Sequence, residues 1–371
     1  MENFFEGVNK KLGFGCMRLP MKDNEVDKNE MCKMVDAFIE RGFNYFDTAH
    51  GYLDGKSELA LRDCLTSRYP RDKYVLTNKL SSHFFQTTEE IRPLFDSQLE
   101  ACGVDYFDFY LMHAQDAKSY EKYQKLNAYE TAYKLKDEGK IKHFGLSFHD
   151  KAAVLDRILS DHPEVEVVQI QFNYIDYEDP SVESRKCYEV CEKHGKPVIV
   201  MEPIKGGRLI NLPDDAQAVF DEAGGGSNAS YAVRFAAGFK NIFMVLSGMS
   251  NMHDMDDNTS YMQNFKPLDE KETAVVRKVV EVLSSRDLIP CTSCRYCMEV
   301  CPKQIPIPSV FSLLNSKRQF NNRNASYHYE MRTRDGKKAS DCLGCGQCEN
   351  ICPQHLKIRE LLKDVAAEFE G

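Results

Sequence analysis

Residues 43–49, FNYFDTA, are an apolar stretch that closes on an acid, and residues 57–65, SELALRDCL, follow with apolar positions at helical spacing. That strand-then-helix unit recurs on both sides. Upstream, LGFGCM (12–17) precedes a helical stretch over 27–41. Downstream, YVLTNKL (74–80) precedes TTEEIRPLFDSQLEACG, where Thr87, Thr88 and Glu90 predict a capped start and Gly103 a stop. FDFYLMH (107–113) leads into a long helix ending near residue 139. IKHFGLSFH, VEVVQIQFN, PVIVMEP and NIFMVLSG supply four more strands, with helical segments near 150–160, 180–194, 228–238 and 252–263.

Eight such units fill about 265 residues, and their strands are apolar on both faces, as strands between a core and a helix ring must be. The pattern predicts a closed (β/α)8 TIM barrel, which takes about 250 residues. An open doubly wound sheet is the alternative, weakened because no G-x-G-x-x-G follows the first strand. In a barrel, chemistry sits at the carboxyl ends of the strands.

The tail has a different grammar. Cys291, Cys294, Cys297 and Cys301-Pro302 repeat the spacing of Cys342, Cys345, Cys348 and Cys352-Pro353, each C-x2-C-x2-C-x3-C-P. This run wraps cubane iron–sulfur clusters, the fourth thiolate reaching toward the other cube. The expected partition is Cys291, Cys294, Cys297 and Cys352 on one [4Fe–4S] cluster, with Cys342, Cys345, Cys348 and Cys301 on the other. A zinc ribbon needs only two pairs per ion. The 40 residues between Cys301 and Cys342 favour a small, mainly α-helical ferredoxin-like domain. The expected organisation is a barrel over 1–266, an amphipathic connecting helix over 267–288 and the cluster domain over 289–371.

The chain has 371 residues and a net charge of −9, so bulk attraction to nucleic acid or an anionic membrane is not expected. No apolar run approaches a membrane span, the first residues lack a signal-peptide core, and fourteen cysteines point to reduced thiols in the cytoplasm. Between Lys317 and Lys338, seven basic residues face only Glu330 and Asp335. That patch is either a solvated loop or a dock for an acidic electron-transfer protein such as a ferredoxin or flavodoxin.

Four titratable side chains fall at strand ends: Asp47, with Tyr52 five residues on, then Lys79 and His113. A Lys79 cation would lower the Tyr52 pKa, Asp47 would hold Lys79, and His113 could stabilise charge on a carbonyl oxygen. The run Asp47-Thr48-Ala49-His50-Gly51-Tyr52, with Lys79 after the third strand and His113 after the fourth, resembles the aldo–keto reductase tetrad over residues 10–265. The tail resembles a two-cluster ferredoxin domain, and the fusion resembles iron–sulfur members of that reductase family. The resemblance implies a nicotinamide cofactor, NAD(H) or NADP(H), and a small carbonyl or alcohol substrate. It places Ser147 and Gln169 on the carboxamide and Gly206, Gly207 and Arg208 on the pyrophosphate. Ser247, Gly248, Ser250, Asp257 and Asn258 fall at the adenosine end. Phe148 replaces the family's asparagine, and Met201 its stacking aromatic. Gly248 and Asp254 stand where relatives preferring NADPH carry Lys and Arg, which favours NADH. A flavin such as FMN, converting single electrons to hydride, is an alternative occupant, with Arg18 a cation for either cofactor's phosphate. A redox scaffold without carbonyl chemistry is the reading from another class.

Overall fold

The computed structural model describes residues 4–334 and 336–371. Eight parallel strands close on themselves: β1 (Leu12–Gly15), β2 (Tyr45–Asp47), β3 (Val75–Leu80), β4 (Phe107–Gln115), β5 (Ile141–Phe148), β6 (Val167–Gln171), β7 (Val198–Met201) and β8 (Ile242–Ser247). Each pairs in parallel with its sequence neighbours, and β1 pairs with β8 to complete the ring. The open sheet is thereby excluded.

Alternation along each strand sorts the side chains into two shells. Tyr45, Phe109, Leu111, Val167, Ile199 and Leu246 fill the interior, while Phe46, Leu76, Tyr110, Phe144, Val168 and Val245 belong to the core shared with the helices. Phe5 plugs the amino-terminal end, its ring 5.0 Å from Phe109 and 4.9 Å from Phe243. Glycine is required inside at Gly145, where a Cβ would lie 2.4 Å from the Val167 carbonyl oxygen. At Gly13 it would lie 2.7 Å from Leu246.

Helices Lys28–Glu40, Ile91–Cys102, Ala152–Asp161, Ser184–Lys193, Asn228–Ala237 and Met252–Met262 fall where the apolar spacing puts them. Three local features differ. The single long helix expected after β4 is two, Ala117–Lys125 and Ala128–Asp137, broken where Asn127 turns left-handed (φ 48°). A hairpin of Met21–Lys22 with Glu25–Val26, turning through left-handed Asp23 and Asn24, precedes the first helix. The capped start expected at Thr87, Thr88 and Glu90 does not form: Glu90 itself is the N-cap and its side chain makes no cap hydrogen bond into the helix. Its carboxylate accepts hydrogen bonds from the Gln86 and Thr87 amides behind it, and the helix begins at Ile91.

The chain divides into two compact units. The first carries the barrel. The second comprises residues 179–182, 207–225 and 270–371, so helix Asp214–Ala223 groups with helix Glu270–Ser284 and the cysteine-rich tail. Arg286 bonds Asp215 at 2.7 Å within that unit. Its core gathers Ile305, Val310, Phe311, Leu314, Ile358 and Leu362 with Cys297, Cys348 and Cys352. Among its described residues the regular elements are all helical.

Candidate active site

β2 and β3 lie side by side, and alternation aims Asp47 and Lys79 inward at the carboxyl end of the barrel. Lys79 is fully buried. Its Nζ donates to Asp47 Oδ1 at 2.6 Å and to the Thr48 carbonyl at 2.7 Å. The same nitrogen lies 5.0 Å from the centroid of the Tyr52 ring, close enough for its charge to act on the phenol. Gln169 Nε2 donates to the second Asp47 oxygen at 3.5 Å. The His113 ring stands edge-on to Tyr52 with centroids 5.8 Å apart. The four side chains singled out by sequence thus meet at one place.

The loop that presents Tyr52 is held from below. Thr48 and Ser57 share a hydrogen bond of 2.8 Å, and the Ser57 hydroxyl donates to the Cys16 carbonyl. Directly after Tyr52 the backbone turns left-handed at Leu53 (φ 53°) and Asp54 (φ 54°), a conformation Asp tolerates and Leu rarely accepts.

Burial raises the Asp47 carboxyl, opposed by Lys79 and Gln169. On Lys79, burial works against the charge, but Asp47 and Tyr52 outweigh it and hold the pKa above its ordinary value. The two directions pull against each other, since a raised carboxyl argues against an ion pair and a raised amine for one. We assign the charged pair, because both Asp47 oxygens accept and Nζ has two oxygen acceptors. On Tyr52 the outcome differs from expectation. Lys79 does pull the phenol pKa down, but burial is the larger effect and the net direction is up. Tyr52 is a proton-holding group at neutral pH. Burial, then the charges of Lys79, His149 and His83, push His113 well below the ordinary imidazole value, so it is neutral.

Around this centre the other candidates behave unequally. Ser147 and Gln169 face inward on paired positions of β5 and β6, although the Ser147 hydroxyl already accepts from the Ala114 amide at 2.8 Å. Phe148 points outward into the helix-shell core. Met201 ends β7, half-buried, opposite Gln171. Arg18 meets Glu202 at 3.9 Å, and a Cβ on Gly206 would come within 3.5 Å of both side chains. Gly248 sits against the Arg18 stem, and Ser250 Oγ donates to the Arg18 carbonyl. Gly207 and Arg208 belong to the second unit. Ser247 and Asn258 are buried and bonded to each other at 2.9 Å, and Asp257 accepts from Ser227. Ser247, Asn258 and Asp257 therefore serve packing first. His83 and the exposed Phe84 line the approach beside Gly51, whereas Phe85 and Tyr174 are buried.

In the second unit two hollows are lined by cysteines. Cys291, Cys294, Cys297 and Cys352 surround one, with Ile307, Phe311 and Ile358 among its walls. Cys301, Cys342, Cys345 and Cys348 surround the other, with Ile305, Leu343 and Leu362. Burial and then neighbouring cysteines push the Cys297 thiol up to about 12. Burial, Glu349 and Cys342 take Cys348 to about 11. Thiolates crowded in an apolar pocket would repel one another, so their ionised forms call for a cationic counterpart. Among the described residues no three of His, Cys, Asp or Glu converge as a site for one ion.

The aldo/keto reductase family model matches residues 11–281. The chain belongs to the aldo/keto reductase family. A 4Fe-4S dicluster domain model matches residues 290–356. Uncharacterized oxidoreductase YqkF of Bacillus subtilis is 24% identical over 214 residues, which are 55% of this chain and 64% of the relative. The NADH-specific methylglyoxal reductase of Escherichia coli is 25% identical, over 54% of this chain and 65% of its own length. The chain thus spans under two thirds of these curated relatives. Among solved structures, aldo-keto reductase AKR11C1 from Bacillus halodurans matches with a TM-score of 0.60 and 22% identity, covering 73% of this chain and 92% of that one. An aldo-keto reductase from Klebsiella pneumoniae in complex with NADPH matches at 0.57 and 19%, covering 74% and 95%. These likenesses fix the fold of the barrel.

Three contributors to this reductase-family site escaped the sequence reading: the Thr48 carbonyl, Glu202 and Ser81. Ser81 had a usable signal, since it follows β3 directly, two residues beyond Lys79. Glu202 likewise follows β7 directly. The Thr48 carbonyl is a main-chain atom and leaves no signature in residue types.

Proposed function

We propose that the barrel interconverts a small carbonyl compound and its alcohol, with Tyr52 giving up the proton in reduction and taking it back in oxidation. The observation that carries this reading is the fully buried Lys79 ammonium, bonded to Asp47 and set against the Tyr52 phenol. In reduction a phenol that keeps its proton near neutrality is the acid form required, and Lys79 stabilises the phenolate left behind. His113, neutral, donates a hydrogen bond to the same oxygen as negative charge builds on it. Replacing Tyr52 by Phe should abolish carbonyl turnover while iron content stays unchanged; a variant that still turns over would remove the assignment.

A reduced nicotinamide supplies the hydride when bound. Ser147 and Gln169 would take its carboxamide, and Arg18, Gly206 and Gly248 its phosphates. NADH is favoured over NADPH because Asp254 already accepts from the Ser250 amide and Asn251 Nδ2 at the start of helix Met252–Met262, where a 2′-phosphate would meet a carboxylate. Initial rates with the two nucleotides test this. FMN in the same mouth is a second reading, favoured by the outward turn of Phe148 and by Ser247 and Asn258 being spent on each other. Flavin released on denaturation of cluster-loaded protein would support it, and colourless supernatant would end it.

The two cysteine sets would each hold a [4Fe–4S] cluster, giving the family fold a single-electron outlet. Cluster bleaching that keeps pace with substrate turnover under anaerobic conditions supports coupling; unchanged clusters during turnover would make them structural. An acidic electron-transfer partner would use the basic stretch of the second unit. Lys317 there is paired with Glu368, and Arg318 with Asp287 and Asp364, so Arg323, Arg332, Arg334, Lys337 and Lys338 remain as the proposed contacts.

A further inference from the structure

We infer that Ser81 is a positioning residue for carbonyl reduction: its hydroxyl fixes His113 as the tautomer with hydrogen on Nε2, the nitrogen that must donate to the substrate oxygen. The inference rests on the proposed role of Tyr52 as proton donor, and its test is separable from that role.

Ser81 is 1% exposed, and its Oγ lies within hydrogen-bonding distance of His113 Nδ1. A neutral imidazole carries one hydrogen, on Nδ1 or on Nε2, and the partner of one nitrogen decides the other. The hydroxyl also carries one hydrogen. Were Nδ1 the donor, the Ser81 hydrogen would need a different acceptor inside the protein. Among the described residues the hydrogen bond recorded for this hydroxyl is the one to His113. Buried hydroxyls are satisfied, so Ser81 donates, Nδ1 accepts, and Nε2 holds the hydrogen.

The surroundings keep the imidazole neutral and still. Burial, then Lys79, His149 and His83, oppose a second proton on it. The His113 carbonyl accepts from the Tyr123 hydroxyl at 3.0 Å, and the left-handed Ala114 that follows (φ 51°) lies in the register shift between Met112 and Gln115. With the ring edge-on to Tyr52, a donor on Nε2 and the Tyr52 phenol can serve one oxygen together.

The alternative is that Ser81 only satisfies a buried ring. The experiment labels histidine with 15N in the full, cluster-loaded chain and reads the ring-nitrogen shifts of His113, identified by their loss in His113→Asn. The expected pattern for the unaltered protein is Nε2–H. Ser81→Ala should shift it toward a mixture with Nδ1–H and lower kcat about tenfold, with KM and iron content held. Ser81→Thr should restore both. In a His113→Asn background, Ser81→Ala should cost nothing further. An Nδ1–H pattern in the unaltered protein overturns the inference without any variant. So does full kcat in Ser81→Ala while Tyr52→Phe is dead. If Tyr52→Phe retains turnover, the proposed function fails, and the tautomer reading still reports on Ser81.

Discussion

At the scale of single residues, the site is a contest between burial and charge. Burial raises the Tyr52 pKa above the ordinary phenol value, although Lys79 pulls it down. The proton-bearing phenol is populated below that pKa, so reduction should hold steady from neutrality to beyond pH 10 and decline only above. Oxidation needs the phenolate and should climb with pH across the same range. Replacing Lys79 by Met should push the phenol higher still and slow oxidation by about 10²-fold or more, read from the alkaline limb of the rate profile. The same change strands Asp47, so thermal unfolding should show a loss of about 3–5 kcal/mol, partly recovered by adding Asp47→Asn. Sequence order and spacing made this quartet legible. The sign of the Tyr52 shift was not, because desolvation depends on what surrounds a group from other parts of the chain.

Elements show the complementary lesson. The strands were readable because both faces are apolar, and the helix stop at Gly103 because its left-handed backbone (φ 66°) suits glycine. Which residue faces inward follows from closure. Gly145 sits in an interior layer where a Cβ meets the Val167 backbone, while at Gly13 it meets side chains only, the flexible ends of Leu246 and Met244 and the edge of the Tyr45 ring. Gly145→Ala should therefore lower stability by about 3 kcal/mol or more and Gly13→Ala by about 1 kcal/mol, compared by thermal unfolding. Equal effects would mean that the interior layers are looser than these distances imply. The capped start was misread because Thr87 and Glu90 stand at capping-box spacing, and only the path of residues 86–90 puts that contact in a turn ahead of a helix that begins at Ile91.

Across the whole molecule, two kinds of core sit in one chain. The barrel buries apolar side chains around a polar lip, and the tail gathers sulfur inside a small helical core. The cysteine hollows draw one member of each set from the other motif, Cys352 in one and Cys301 in the other. Cys301→Ser should then disturb the cluster bound by the later motif and leave the earlier one, lowering iron to about half with a single remaining reduction signal. Loss from the earlier motif instead would overturn the crossed partition. Neutralising Arg332, Arg334 and Lys337 should slow reduction by an acidic donor in a salt-sensitive way, and an unchanged rate would remove that partner.

Strand count, the place of the quartet along the chain and the cysteine repeat were settled by residue order, because periodicity and short spacings are local properties. The neutral His113, the proton kept on Tyr52, the Arg18–Glu202 contact and the mutual bonding of Ser247 with Asn258 came from folding alone. Each depends on distances between side chains far apart in sequence and on how much water the folded chain removes from around them.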